Sequence, residues 1–120
     1  MPTAQPVGFL KEHAMEFGID RERIAVIGDS AGGHLAVSVA LSNELPTTVD
    51  VAAVVNCNGV VDLTRGAWMK RFAHCKSPAA AARKLSPIHN LGQRRCPVLN
   101  LNGDLDKIVT SRETTAFHQA

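Results

Sequence analysis

Ser30 stands in Gly28-Asp29-Ser30-Ala31-Gly32, a G-x-S-x-G pattern with a further glycine at Gly33. A serine becomes an effective nucleophile when a neighbouring base takes its proton and a carboxylate orients that base. The pattern serves this chemistry when it forms a sharp strand-to-helix corner, because the serine oxygen then stands clear of the sheet. Such a corner leaves little room, which calls for small residues at Gly28, Gly32 and Gly33 around Asp29 and Ser30. The helix that follows directs its first N–H groups and the positive end of its dipole at developing negative charge. In that arrangement the N–H of Ala31 is one donor of an oxyanion hole.

Three aspartates are open for the orienting carboxylate. Asp106 lies just past a strand end, in Gly103-Asp-Leu-Asp106-Lys-Ile-Val109, and is the leading choice. Asp104 is next and reads better as the residue that caps the turn, while Asp62, after an earlier strand, is the outside alternative. For each of them the plain alternative is a turn-forming Asp. The five histidines are His13, His34, His74, His89 and His118. His13 reads as a surface residue, and His34 as a neighbour of the serine on its own helix. His118 falls about three helical turns beyond Asp106. His74 and His89 belong to the stretch with the weakest pattern, and none of the five is assigned as the base.

These residues need a scaffold, and the hydrophobic pattern supplies one. Val7 to Phe17 predicts a helix stopped by Gly18. Arg23 to Ile27 and Val51 to Cys57 are continuous apolar runs of the kind found in parallel strands covered on both faces. Between them, Ala31 to about Asn43 is apolar almost all round, which predicts a buried helix and hence a βαβ unit. Asn58-Gly59 marks a loop. Trp68 and Phe72 are one helical turn apart, and Trp68 reads as packing or as part of a pocket wall. Ser77 to Leu85 predicts a short helix with Pro78 at its start. Pro97 to Asn102 is a third strand, and Thr110 to Gln119 a helix capped by Thr110 or Ser111 with Glu113 in its first turn.

The totals narrow the class. A chain of 120 residues with 45% hydrophobic and 20% charged residues is expected to form one domain over 1–120. A formal net charge of +2 with scattered Lys and Arg leaves no footprint for nucleic acid. No apolar run is long enough to span a bilayer. Cys57, Cys75 and Cys96 form no C-x-x-C pair and read as reduced structural thiols, which with the absence of a signal-like start suggests a cytoplasmic setting. Neither a metal nor a cofactor is called for. GDSAGG does not supply the G-x-G-x-x-G of a dinucleotide site.

Gly28-Asp-Ser-Ala-Gly-Gly-His-Leu-Ala36, preceded by Phe17-Gly-Ile-Asp-Arg-Glu-Arg-Ile-Ala-Val-Ile27, resembles the nucleophile region of α/β-hydrolases. The nearest likeness is to the esterase and lipase branch that includes hormone-sensitive-lipase-like and BD-FAE-like carboxylesterases. Ser86-Pro87-Ile88 and Pro97 to Val109 also fall where that branch has similar segments. The resemblance implies part of an α/β-hydrolase fold, a three-layer αβα arrangement on a short parallel sheet of about three strands. It implies a serine hydrolase of small carboxylic esters that forms an acyl-enzyme on Ser30. The branch's histidine lies in a loop beyond the segment that ends here at Ala120, and its His-Gly-Gly oxyanion loop precedes anything present. Asn102 also stands where relatives have a histidine. The 120-residue chain is therefore expected to turn over little substrate, and open sheet edges invite association. The alternative is a non-catalytic remnant of the fold that acts as a binding module.

Overall fold

The computed structural model describes residues 4–42, 49–92 and 96–120. The chain opens with α1 (Ala4–Glu12) and α2 (Ala14–Phe17) in place of one continuous helix over 7–17. The step between them falls at His13. Its backbone N–H and its ring Nδ1 both reach the Phe9 carbonyl, at 3.0 and 2.9 Å, and its ring stacks on Phe9 at 4.1 Å. Gly18 ends α2 in the left-handed region, at φ 63°, with its N–H on the carbonyls of the last turn.

The sheet consists of β1 (Ala25–Asp29), β2 (Ala53–Cys57) and β3 (Val98–Leu101), all parallel, in the order β1-β2-β3. β1 runs two residues further than its apolar run predicts. Gly28 and Asp29 stay in the ladder, paired with Asn56 and Cys57, so the strand delivers the chain directly to Ser30. The helix α3 (Ala31–Leu41) follows at once and is buried from Ala36 onward. After β2 come α4 (Gly66–Lys70), α5 (Pro78–Lys84) and a 3-10 turn at Pro87–His89. β3 then leads through a loop into α6 (Ser111–Gln119). Glu113 fixes the start of α6 by accepting hydrogen bonds from the Thr110 N–H at 3.0 Å and the Thr110 hydroxyl at 3.1 Å.

Register decides which side of the sheet is dry. Val26, Val54 and Val98 are level with one another and face the core, where Val37, Ala40, Leu41 and Phe117 cover them. The alternate residues project from the opposite face. There Ile27 is 72% exposed, Leu99 54% and Leu101 48%. The expected parallel three-stranded sheet with its helices is present, but of two helical layers one is found among the described residues. β1 and β3 alternate between exposed and half-buried positions instead of being covered on both faces. The shortest dimension, 22 Å, is that of a sheet plus one layer of helices. None of the described helices is long and apolar enough to cross a membrane.

The Ser86-Pro87-Ile88 segment is part of the packing. Ser86 is fully buried, donates to the Ala82 carbonyl at 2.7 Å and accepts from the Leu63 N–H at 2.8 Å. All three cysteines are free thiols. The uneven covering of the sheet gives a direct test by urea unfolding. Val54→Ala, on the dry face and 1% exposed, is expected to cost about 2 kcal/mol or more. Leu99→Thr, on the open face, is expected to stay within about 0.5 kcal/mol.

Candidate active site

Ser30 occupies the apex between β1 and α3, with φ 52° and ψ −115°, a conformation rare for any residue with a side chain. Such a residue costs on the order of 1–3 kcal/mol and persists only where its surroundings hold it. Two backbone bonds hold this one. The Ser30 N–H donates to the Cys57 carbonyl at 2.9 Å, and the Ser30 carbonyl accepts the His34 N–H at 3.1 Å as the first turn of α3. The residue is exposed, and its hydroxyl takes no hydrogen bond among the described residues. Ala31, also exposed, begins the helix.

Glycine is required at some of these positions and not at others. A Cβ on Gly28 would collide with the carbonyl of Gly32, so the corner closes only when residue 28 is bare. At Gly32 itself a Cβ meets nothing within 4 Å, and its part in the corner is played by its backbone. Gly33 is needed one layer deeper. A Cβ there would lie 2.5 Å from the Asn56 Oδ1 and 2.8 Å from the Gly59 Cα. The helix therefore seats on the end of β2 with glycine against glycine. Asn56 beneath them donates its Nδ2 to the Asn100 Oδ1 at 2.9 Å, while its own Oδ1 is buried without a partner.

The strand ends are level. Asp29, Cys57 and Leu101 pair across the sheet, so Ser30, Asn58 and Asn102 emerge side by side from its carboxyl edge. Ser30 and the loop that follows β3 are then two strand spacings apart, roughly 10 Å. Open α/β sheets place their sites at this edge. Asn58, with φ 49°, stitches the gap. Its N–H donates to the Leu101 carbonyl at 2.8 Å, and its Oδ1 accepts the Gly103 N–H at 3.2 Å.

The loop after β3 is shaped by Asp106 rather than Asp104. The Asp106 Oδ1 accepts the N–H groups of Ile108 at 2.8 Å and Val109 at 3.0 Å. Those N–H groups, Val109 first, hold its carboxyl below the ordinary carboxylate range. Its Oδ2 takes no bond among the described residues. The Asp104 side chain makes none of the turn's bonds. Asn102, a residue whose role only the fold discloses, ties this loop to α6. Its Nδ2 donates to the Val109 carbonyl at 3.0 Å, and its Oδ1 accepts the Thr114 hydroxyl at 2.8 Å.

No histidine among the described residues bonds to Asp106. His34 is tied through Nδ1 to the Val60 carbonyl at 2.7 Å, and burial lowers its pKa despite that bond. The carboxylate that does meet a histidine is Asp62, whose Oδ1 lies 3.5 Å from the His89 Nε2. The other ring nitrogen of His89 faces the Arg83 Nη1 at 3.4 Å, so neither nitrogen is left for a serine. Burial raises the Asp62 pKa, but bonds from Thr64 and the charges of His89 and Arg65 outweigh it and hold the carboxyl low. Asp62 is thus the anchor of the segment after β2. His74 and His118 are exposed.

A parallel sheet whose first strand turns through a bare-residue corner into a buried helix is the fold of an α/β-hydrolase. The BD-FAE family profile matches residues 3–120, and the chain belongs to that family. It is 28% identical over 134 residues to esterase LipQ of Mycobacterium tuberculosis (strain ATCC 25618 / H37Rv), a match that covers 95% of this chain and 32% of LipQ. Among solved structures it is similar to a truncated form of a carbohydrate esterase from gut microbiota. That likeness has a TM-score of 0.77 and 20% identity, over 97% of this chain and 52% of the other. It is also similar to Thermogutta terrifontis esterase 2 phosphonylated by sarin, with a TM-score of 0.79 and 23% identity, over 97% of this chain and 47% of that one. The chain spans about a third of LipQ and about half of each solved relative.

The two glycines that flank Ser30 at a distance of two residues are predicted to behave oppositely in thermal or urea unfolding. Gly28→Ala is expected to destabilise by more than about 3 kcal/mol, since backbone must move to admit the methyl group. Gly32→Ala, in open space on a helix, is expected to be neutral or to stabilise by up to about 1 kcal/mol.

Proposed function

We propose that the protein is a hydrolase of carboxylic esters in which Ser30 attacks the ester carbonyl and carries the acyl group until water releases it. The observation that carries this reading is the strained, exposed position of Ser30 at the head of α3, with its hydroxyl unengaged. A hydroxyl fixed there meets a carbonyl carbon without first breaking a bond to the protein. The negative charge formed on the carbonyl oxygen falls next to the Ala31 N–H and the amino end of the helix. Asp106 is the orienting carboxylate in this scheme, with its free Oδ2 as the atom that would hold a histidine N–H. Gly28, Asp29, Gly32 and Gly33 form the corner. Residues 1–120 are one partial domain on this reading, and the bare sheet face and edges are surfaces for association.

The missing partner is the base. With none of the described histidines on Asp106, the 120-residue chain is a weak or inactive catalyst, slower by about a thousandfold or more than a complete triad. A second reading, a non-catalytic module that binds ligands through the same edge of the sheet, is favoured by that one observation.

A fluorophosphonate probe with and without added imidazole separates the two. Labelling is expected to be slow in buffer, to rise with imidazole as an external base, and to vanish in Ser30→Ala. Labelling that persists in Ser30→Ala, or that does not respond to imidazole, contradicts the hydrolase reading. Rapid labelling without imidazole contradicts the absence of a base.

A further inference from the structure

A cleft of about 800 Å³ lies between α4 and the start of α6, and the residues after Asp106 form part of its wall. Its charge is unusual for so small a region. Arg65, Arg71, Lys107 and Arg112 line it against two carboxylates, Asp62 and Glu113, an excess as large as the formal +2 of the whole chain.

Both carboxylates are already engaged. Asp62 accepts two bonds from Thr64 and pairs with the Arg65 Nε at 3.1 Å, besides facing His89. Glu113 is held by Thr110 at the helix cap. Arg71, Lys107 and Arg112 form no ion pair among the described residues. The Arg71 guanidinium instead lies 5.3 Å from the centroid of the Trp68 ring, a cation–π contact that holds it at the cleft wall. Trp68, Ile88 and Ile108 add apolar wall. A volume of this size suits a small organic ligand. Guanidinium groups beside an indole suit one with an apolar body and an acidic end, because arginine binds carboxylate and phosphate through paired N–H bonds.

We propose that this cleft binds the acidic group of an anionic ester, one whose acyl or alcohol half carries a carboxylate or phosphate besides the ester bond. The identification of the ligand as an ester rests on the hydrolase reading above, whereas the anion site rests on the cleft alone. The cleft opens beside the Asp106 loop, on the same edge of the sheet as Ser30. A substrate anchored here by its charge would extend its ester along that edge.

Trp68 is the only tryptophan, so its indole N–H is an unambiguous reporter in nuclear magnetic resonance spectra of the ¹⁵N-labelled chain. Monomethyl succinate is expected to shift that signal saturably, and dimethyl succinate, the same skeleton without the charge, to bind about tenfold more weakly or worse. Added salt should weaken the first and spare the second. Arg71→Gln/Arg112→Gln, checked for native circular dichroism, should lose about tenfold in affinity for the monoester. Inorganic phosphate titrated the same way distinguishes the sources, since tighter arginine-dependent binding than the monoester marks a phosphate-bearing ester. Equal binding of the two succinates, or unchanged binding in the double variant, overturns the proposal. Failure of Ser30 to label even with imidazole, while the monoester still binds, would remove the hydrolase reading and leave the anion site standing. Imidazole-promoted labelling that vanishes in Ser30→Ala, with no monoester binding, would do the reverse.

Discussion

Gly28 and the carbonyl of Gly32 lie so close that a Cβ on residue 28 has no room, and the layout of the sheet's carboxyl edge follows from that contact. A strand can turn into a helix within one residue only if the first helical turn folds back against the strand end, and here no side chain separates them. That closeness forces Ser30 into positive φ and leaves its hydroxyl outside. A second bare contact, Gly33 against Gly59 above Asn56, fixes how deeply α3 sits over β2. Ala36, Val37, Ala40 and Leu41 of the helix then pack with Val26 and Val54 in one core cluster. Polar cost is accepted for this fit. The buried Asn56 Oδ1 goes without a partner, a penalty of about 1–3 kcal/mol that the packing above it must offset.

What carries the arrangement from Ser30 to Asp106 is a chain of amide side chains rather than the core. Asn58 joins the end of β2 to the loop after β3, and Asn102 joins that loop to α6. Asn56 and Asn100 pair one layer below. Amides suit this edge because each offers a donor and an acceptor without a charge to desolvate. Charge is concentrated elsewhere, in Asp62 and its partners and in the cations of the neighbouring cleft.

The parts of this structure that sequence reasoning reached are those set by local spacing. The corner was legible because glycines at 28, 32 and 33 around a serine have few other uses between an apolar strand and an apolar helix. The helix start was legible to within Thr110 or Ser111, with Glu113 in the first turn, and the bonds from Thr110 to Glu113 decide for Thr110. Local spacing does not say how far a strand stays paired, and β1 outran its apolar run because Gly28 and Asp29 pair through backbone alone. Apolar strands look alike whether one face or two are covered, so the bare side of Ile27 and Leu99 was invisible. On paper Asp104 reads as the residue that caps the turn, whereas the bonds of the Ile108 and Val109 N–H groups go to Asp106, a pairing that spacing alone does not disclose. The Asp62–His89 pair and the cleft cations join residues tens of positions apart, which no short-range pattern encodes.

Ser30 is pinned at the apex by its N–H bond to the Cys57 carbonyl, and amide hydrogen exchange reads that bond directly. The Ser30 amide is predicted to be protected to within about tenfold of the Val55 and Asn56 amides in the central strand. Exchange of Ser30 at the rate of an unstructured peptide, while β2 stays protected, would contradict a rigid corner and with it the site built upon it.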